Sequence, residues 1–179
     1  NCTSLEHCPG IPLSVTEAYK TFYNCSSMKD ICDLGPNLED LNQTFYNCRN
    51  MEVEKLKLNN NIRSMNKTFT MCNKIKSIDK MPTLKYYKDI QGNPDYYYMD
   101  ADGNKSKLVQ SKSFDSTFMM CEGLESITLD VGYDGKSDEF NNQPYVIYKG
   151  TFYGCSNLKS IYVTCTGTLC NNLGSMLGA

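Results

Sequence analysis

Apolar positions along this chain fall in short clusters that return at a fixed distance, rather than in one long helical or strand-like pattern. A phenylalanine is followed three residues later by cysteine, and a further apolar residue follows three after that. The phrases are Thr21-Phe22-Tyr23-Asn24-Cys25, Thr44-Phe45-Tyr46-Asn47-Cys48, Thr68-Phe69-Thr70-Met71-Cys72, Thr117-Phe118-Met119-Met120-Cys121 and Thr151-Phe152-Tyr153-Gly154-Cys155. The next apolar residues are Met28, Met51, Ile75, Leu124 and Leu158, and in four units another follows at Ile31, Ile78, Ile127 and Ile161. Self-similarity at such a period is the sequence signature of a repeat stack, in which each unit buries its apolar edge against its neighbours.

Cys25 to Cys48 is a step of 23 residues and Cys48 to Cys72 a step of 24, which sets the unit length. The steps of 49 to Cys121 and 34 to Cys155 each hold one unit plus an insertion, expected at about 85–107 and about 132–145. Cys2 lies 23 residues before Cys25, and Ala179 lies 24 after Cys155, so both ends of the sequence are expected to fall inside a repeat.

Within a unit the pattern predicts a short strand, a turn and a short helical or 3₁₀ segment. Leu158 to Val163 alternates Ile161 and Val163 about Tyr162, as a half-buried strand does, and Leu124 to Val131 matches it. Leu38, Leu41 and Phe45 are spaced for one brief helical turn. The fold class is therefore an α/β repeat solenoid, with short parallel strands on one face and helical or 3₁₀ turns on the other, forming a single domain over 1–179. Phe22, Phe45, Phe69, Phe118 and Phe152 would form a buried ladder, paralleled by Cys25, Cys48, Cys72, Cys121 and Cys155.

The phrase Thr151-Phe152-Tyr153-Gly154-Cys155-Ser156-Asn157-Leu158-Lys159-Ser160-Ile161-Tyr162-Val163 resembles the BspA-like leucine-rich repeat, whose unit reads roughly Ala-Phe-x-x-Cys-x-x-Leu-x-x-Ile-x-Ile-Pro. The match is also good at 117–129 and 21–34, and poorer at 44–56, where Glu54 takes the isoleucine position. Threonine replaces the family's alanine in all five full units, and the terminal proline is mostly absent. The resemblance implies a curved leucine-rich-repeat solenoid on cell-surface proteins, linked to adhesion and protein binding, with no catalytic motif and no cofactor.

A formal charge of −2 gives no reason to expect nucleic acid or an anionic membrane as partner. No apolar run approaches 18 residues, so membrane insertion is not expected. Of ten cysteines, six are in repeat phase and read as buried thiols, since free cysteine is among the most buried residue types. Cys8 stands where other units carry isoleucine and reads as a small core residue. Cys165 and Cys170, five apart in a Thr/Gly loop, are the candidate disulfide.

The first insertion gathers Tyr86, Tyr87, Tyr96, Tyr97 and Tyr98, with turn signals at Gly92-Asn93-Pro94 and Asp102-Gly103-Asn104. It reads as one or two hairpins carrying a binding surface of rigid amphipathic side chains; the alternative is that the tyrosines pack the hairpins onto the stack. Asp79, Thr128 and Tyr162, with Ser160 and Cys32, are expected on the outward sheet face as a second binding row without a charge stripe. Asn42 and Asn66 lie in Asn-x-Thr sequons just before the Thr-Phe of their units, and are glycosylation candidates in a eukaryotic secretory setting.

No Cys-x-x-Cys occurs, and His7 is the sole histidine, which argues against structural zinc and against Ser-His-Asp chemistry. The expectation is thus a non-enzymatic extracellular or cell-surface module that binds a protein or glycan on a host or neighbouring cell. The rival is a structural subunit of a surface filament, joined to other copies of itself through open solenoid ends.

Overall fold

A computed structural model describes residues 1–59, 61–79, 81–82, 112–130, 146–147 and 149–164, together with four short strands at 87–88, 94–95, 98–99 and 105–106. The strands are β1 (Ser77–Ile78), β2 (Tyr87–Lys88), β3 (Pro94–Asp95), β4 (Tyr98–Met99), β5 (Lys105–Ser106), β6 (Lys112–Ser113), β7 (Ser126–Asp130), β8 (Val146–Ile147) and β9 (Ser160–Thr164). β1, β7 and β9 form a parallel sheet in that order, with Ser77, Ser126 and Ser160 in one row and Ile78, Ile127 and Ile161 in the next. Parallel bridges Val53↔Ile75 and Leu56↔Ile78 extend the pairing into the preceding unit. Each strand is thus one repeat away from the next, as an Ile-rich phrase returning every unit requires.

The core runs along the stack. Phe22, Phe45, Phe69 and Phe118 stack in sequence with ring centroids 5.4 Å apart, and Phe118 to Phe152 is 6.1 Å. All five rings are buried, as are the thiols of Cys25, Cys48, Cys72 and Cys121 and the leading apolar residues Met28, Met51, Ile75 and Leu124. Every threonine of the phrase from Thr44 onward is also buried. A buried hydroxyl is tolerated only if hydrogen-bonded, and here each one is. Thr68 Oγ1 donates to the Leu41 carbonyl at 2.6 Å, Thr117 to Met65 at 2.7 Å and Thr151 to Phe114 at 2.8 Å, each acceptor one unit earlier. The threonine that departs from the family's alanine therefore ties consecutive units together.

The Thr-Phe-x-x-Cys segments are the part the sequence misread. Leu38 to Phe45 is not a helical turn: among the described residues no helix forms, and each segment is a run of hydrogen-bonded turns. Alternate residues look in different directions. Thr44, Tyr46 and Cys48 donate their N–H groups back three residues, to Leu41, Gln43 and Phe45, while Gln43, Phe45 and Asn47 donate across to Asn66, Thr68 and Thr70 of the next unit. The residues two before and two after each phenylalanine adopt positive φ: Lys20 and Asn24, Gln43 and Asn47, Lys67 and Met71, Ser116 and Met120, Gly150 and Gly154. A left-handed residue at that spacing stops helix propagation, and it aims the intervening N–H groups at the neighbouring unit.

A second correction concerns Cys8 and Cys32. Both pack half-buried against the core, Cys32 rather than standing on the sheet face, and the two are joined in a disulfide with Cα atoms 5.2 Å apart. The bond joins the first two units, whereas Leu56, Ile78, Ile127 and Ile161, which stand in register from unit to unit, are aliphatic. Cys25, Cys48, Cys72, Cys121 and Cys155 are free thiols.

Candidate interaction faces

Alternation along the strands sets the sheet face. With Ile78 and Ile127 buried, their neighbours point outward. Thr128 stands directly beside Tyr162, and Asp79, one residue beyond β1, continues that row. The row therefore runs Asp79, Thr128, Tyr162. Lys55 Nζ lies 2.5 Å from the Asp79 carboxylate and holds its pKa below the usual aspartate value, chiefly through that hydrogen bond. Tyr162, at 61% exposure, leaves its ring free on the outermost strand of the described sheet. Thus Asp79 enters as half of an ion pair, Thr128 as a half-buried hydroxyl, and Tyr162 as the one large unpacked side chain of the row.

One pattern on this face escaped the reading by motif. The residue four after each in-phase cysteine is, in order, Glu6, Lys29, Glu52, Lys76, Glu125 and Lys159, and its sign alternates from unit to unit. Backbone bonds join Lys29 to Glu6, Glu52 to Lys29, Glu125 to Lys76 and Lys159 to Glu125. Lys29 pairs with Glu6 at 2.6 Å and Lys159 with Glu125 at 3.2 Å, while Lys74–Glu52 at 2.7 Å and Lys76–Glu54 at 2.6 Å lie alongside. The column is visible only when the units are aligned on cysteine rather than on the strand.

The insertion tyrosines are divided by what the structure describes. Tyr87 lies in β2, paired antiparallel with β3 through Tyr87↔Asp95, and Tyr98 lies in β4, paired antiparallel with β5 through Tyr98↔Ser106. Tyr86, Tyr96, Tyr97, Cys165 and Cys170 lie outside the described residues. So does the whole of the second insertion, 132–145.

Asn42 and Asn66 are half-buried members of a side-chain ladder. Asn42 Oδ1 accepts from the Asn66 backbone N–H at 2.7 Å and from Ser64 Oγ at 2.7 Å, and Asn66 Oδ1 accepts from the Asp115 N–H at 2.9 Å. Asn42 Nδ2 donates to Asp40 at 3.0 Å. The sequon threonines Thr44 and Thr68 are the buried hydroxyls described above. Both ends of each sequon thus have a structural use.

Burial raises the ladder thiols: Cys48 to about 12 and Cys155 to about 11, with Cys72 and Cys121 well above the ordinary range for the same reason. Such thiols are poor nucleophiles and poor metal ligands, and no group of residues able to hold a metal ion occurs among the described residues. Nor does any described buried side-chain nitrogen or oxygen lack a hydrogen-bond partner.

Comparison with known proteins agrees with the repeat seen in the stack. The profile of the BspA type leucine rich repeat region matches in six copies over residues 1–90 and 111–173, so the chain belongs to that family. Among solved structures, a leucine rich cell surface protein from Faecalibacterium prausnitzii A2-165 is 16% identical with a TM-score of 0.33, the match covering 94% of this chain and 57% of that one. A leucine-rich repeat protein from Bacteroides ovatus ATCC 8483 is 17% identical with a TM-score of 0.30, covering 98% of this chain and 66% of that one. The chain thus spans 57% and 66% of the lengths of these two proteins. No curated protein matches it.

Proposed function

We propose that this chain is a non-enzymatic binding module of an extracellular or cell-surface protein, and that the outward sheet row Asp79, Thr128 and Tyr162 contacts a protein or glycan partner together with the tyrosine-rich insertion. The observation that carries the reading is Tyr162: a large amphipathic ring left 61% exposed on a strand whose register is fixed by five backbone pairings to β7. Rigid exposed tyrosine supplies contact area at low entropic cost, and family membership fits a surface interaction role.

The test is capture of the chain by intact cells and by glycan arrays, comparing wild type with Tyr162→Ala and with a Tyr96, Tyr97 and Tyr98 triple serine variant. Loss of capture with an unchanged melting temperature supports the assignment for whichever surface was altered. Unchanged capture by both variants overturns it. Light scattering over a concentration series addresses the filament alternative, which requires growth of particle size with concentration.

A further inference from the structure

We infer that the alternating charges of the sheet face form a docking surface for a second copy of this chain, seated antiparallel to the first about a two-fold axis. The backbone fixes which charges are neighbours. Lys29 donates its N–H to Glu6, Glu52 to Lys29, Glu125 to Lys76 and Lys159 to Glu125. In between, the bridge Val53↔Ile75 sets Glu52 beside Lys74 and Glu54 beside Lys76, and ion pairs of 2.7 and 2.6 Å join them. Rung by rung the face reads Glu6, Lys29, Glu52 with Glu54, Lys74 with Lys76, Glu125 and Lys159. Every one of these side chains is 45% exposed or more.

Such a face selects its partner by the order of its charges. Acidic and basic groups are equal in number along it, so it sets up little net field to hold a polyanion or a polycation. A surface that opposes it favourably must alternate with the same step and in the opposite order, because like charges directly opposite repel. This chain carries that surface itself. In a two-fold contact one patch meets its own copy, so that if one residue faces a second, the second faces the first. With the axis lying across the stack between the third and fourth rungs, Glu6 faces Lys159 of the other copy and Lys29 faces Glu125. Glu52 and Glu54 face Lys74 and Lys76. With the axis along the stack the copies run parallel, and every rung meets its own sign. The order of the charges therefore admits the antiparallel pairing and opposes the parallel one.

The ion pairs within each copy do not use up these groups. An ammonium has three donors and a carboxylate about four acceptor sites, so each can serve a neighbour in its own chain and one across the contact. Exposed pairs contribute little singly. The dimer is accordingly weak and salt-sensitive, and what the alternation supplies is orientation.

The test is sedimentation equilibrium of the intact chain over a concentration series, in about 20 mM and about 0.5 M sodium chloride. The expected result is a monomer–dimer equilibrium at low salt that weakens about tenfold or more at high salt. Lys29→Glu sets glutamate against Glu125 on both sides of the axis and should abolish the dimer. Adding Glu125→Lys restores opposite signs across the axis and should bring the dimer back. Within the chain that second change places a lysine beside Lys76 and Lys159, so an effect confined to the fold would leave the double variant no better than the single one. Melting temperatures measured alongside separate the two: the dimer should return while the melting temperature does not. A monomer at every concentration in low salt overturns the proposal. So does a dimer indifferent to salt and to Lys29→Glu, a double variant that stays monomeric, or growth beyond the dimer, which a closed two-fold contact does not allow.

Discussion

The thiol of Cys72 donates to the carbonyl oxygen of Phe45, one unit earlier, at 3.1 Å. The same bond recurs from Cys48 to Phe22 at 3.2 Å, from Cys121 to Phe69 at 2.9 Å and from Cys155 to Phe118 at 3.0 Å. Cysteine is thus the small residue that fills the space beside the ring ladder and also supplies a weak donor to the unit before. Cys72→Ala removes the sulfur and leaves a cavity, and should lower stability by about 2 kcal/mol in urea unfolding. A change within a few tenths of a kcal/mol would show that the site collapses around the smaller side chain.

Because burial keeps these thiols protonated, their ionisation is linked to folding. A group whose pKa is raised in the folded state contributes stability that is complete below its unfolded value and declines as pH rises through the folded one. With Cys48 near 12 and Cys155 near 11, the melting temperature should fall progressively above about pH 9. A Cys48→Ala, Cys155→Ala variant should show a flatter alkaline limb than wild type.

At the acid end the relevant group is Asp30. The Cys8 N–H, and then the His7 ring, stabilise its carboxylate and hold its pKa below 3.8. A depressed carboxyl pKa gives stability that is present above the unfolded value and lost as pH falls through the folded one. The contact between Asp30 and the Cys8 N–H should therefore weaken below about pH 4, read as faster exchange of the Cys8 amide than of the amides at 41–48. Asp30→Asn should bring the same weakening to neutral pH.

Thr68 tests the link that alanine cannot make. Thr68→Ala matches the family's usual residue at this position yet removes the bond to Leu41. It should cost about 1 kcal/mol of unfolding free energy, and Thr68→Val at least as much, since it keeps the volume but offers no donor.

Lys67 carries a positive φ of 56° with its side chain exposed. Left-handed backbone costs about 1–2 kcal/mol for a residue with a Cβ, partly offset by the entropy lost when glycine is ordered. Lys67→Gly should raise stability by about 0.5–1 kcal/mol, as Gly150 already does at the same place in the last full unit. Gly123→Ala should do the opposite, because a Cβ there would strike the backbone carbonyl of Asn73. Thermal melts of the two variants should shift in opposite directions.

The repeat itself was legible because Phe, Cys and Leu or Ile return in fixed phase, and the phenylalanine of every full unit is buried. The turn segments were not. Leu38, Leu41 and Phe45 have helical spacing, but that spacing also arises when apolar residues line one side of successive three-residue turns. The left-handed residues that tell the two apart are Lys, Gln, Met and Ser as often as Asn or Gly, so composition gave no sign of them. The disulfide was hidden for a different reason: Cys8 and Cys32 come together only once two units are stacked, whereas Cys165 and Cys170 attract notice by lying close in sequence. On the sheet face the placement of Asp79, Thr128 and Tyr162 followed from strand alternation, but the ion pair that occupies Asp79 crosses units and could not be read from either unit alone.

The alternating column from Glu6 to Lys159 gives the stack a parity. Excising one whole unit, for instance residues 49–72, would set Lys29 against Lys76, two like charges in adjacent rungs, while excising two neighbouring units would restore the alternation. Repeats that look interchangeable by their core residues are therefore of two kinds by their charge, and a shortened descendant of this chain should be easier to build by removing units in pairs.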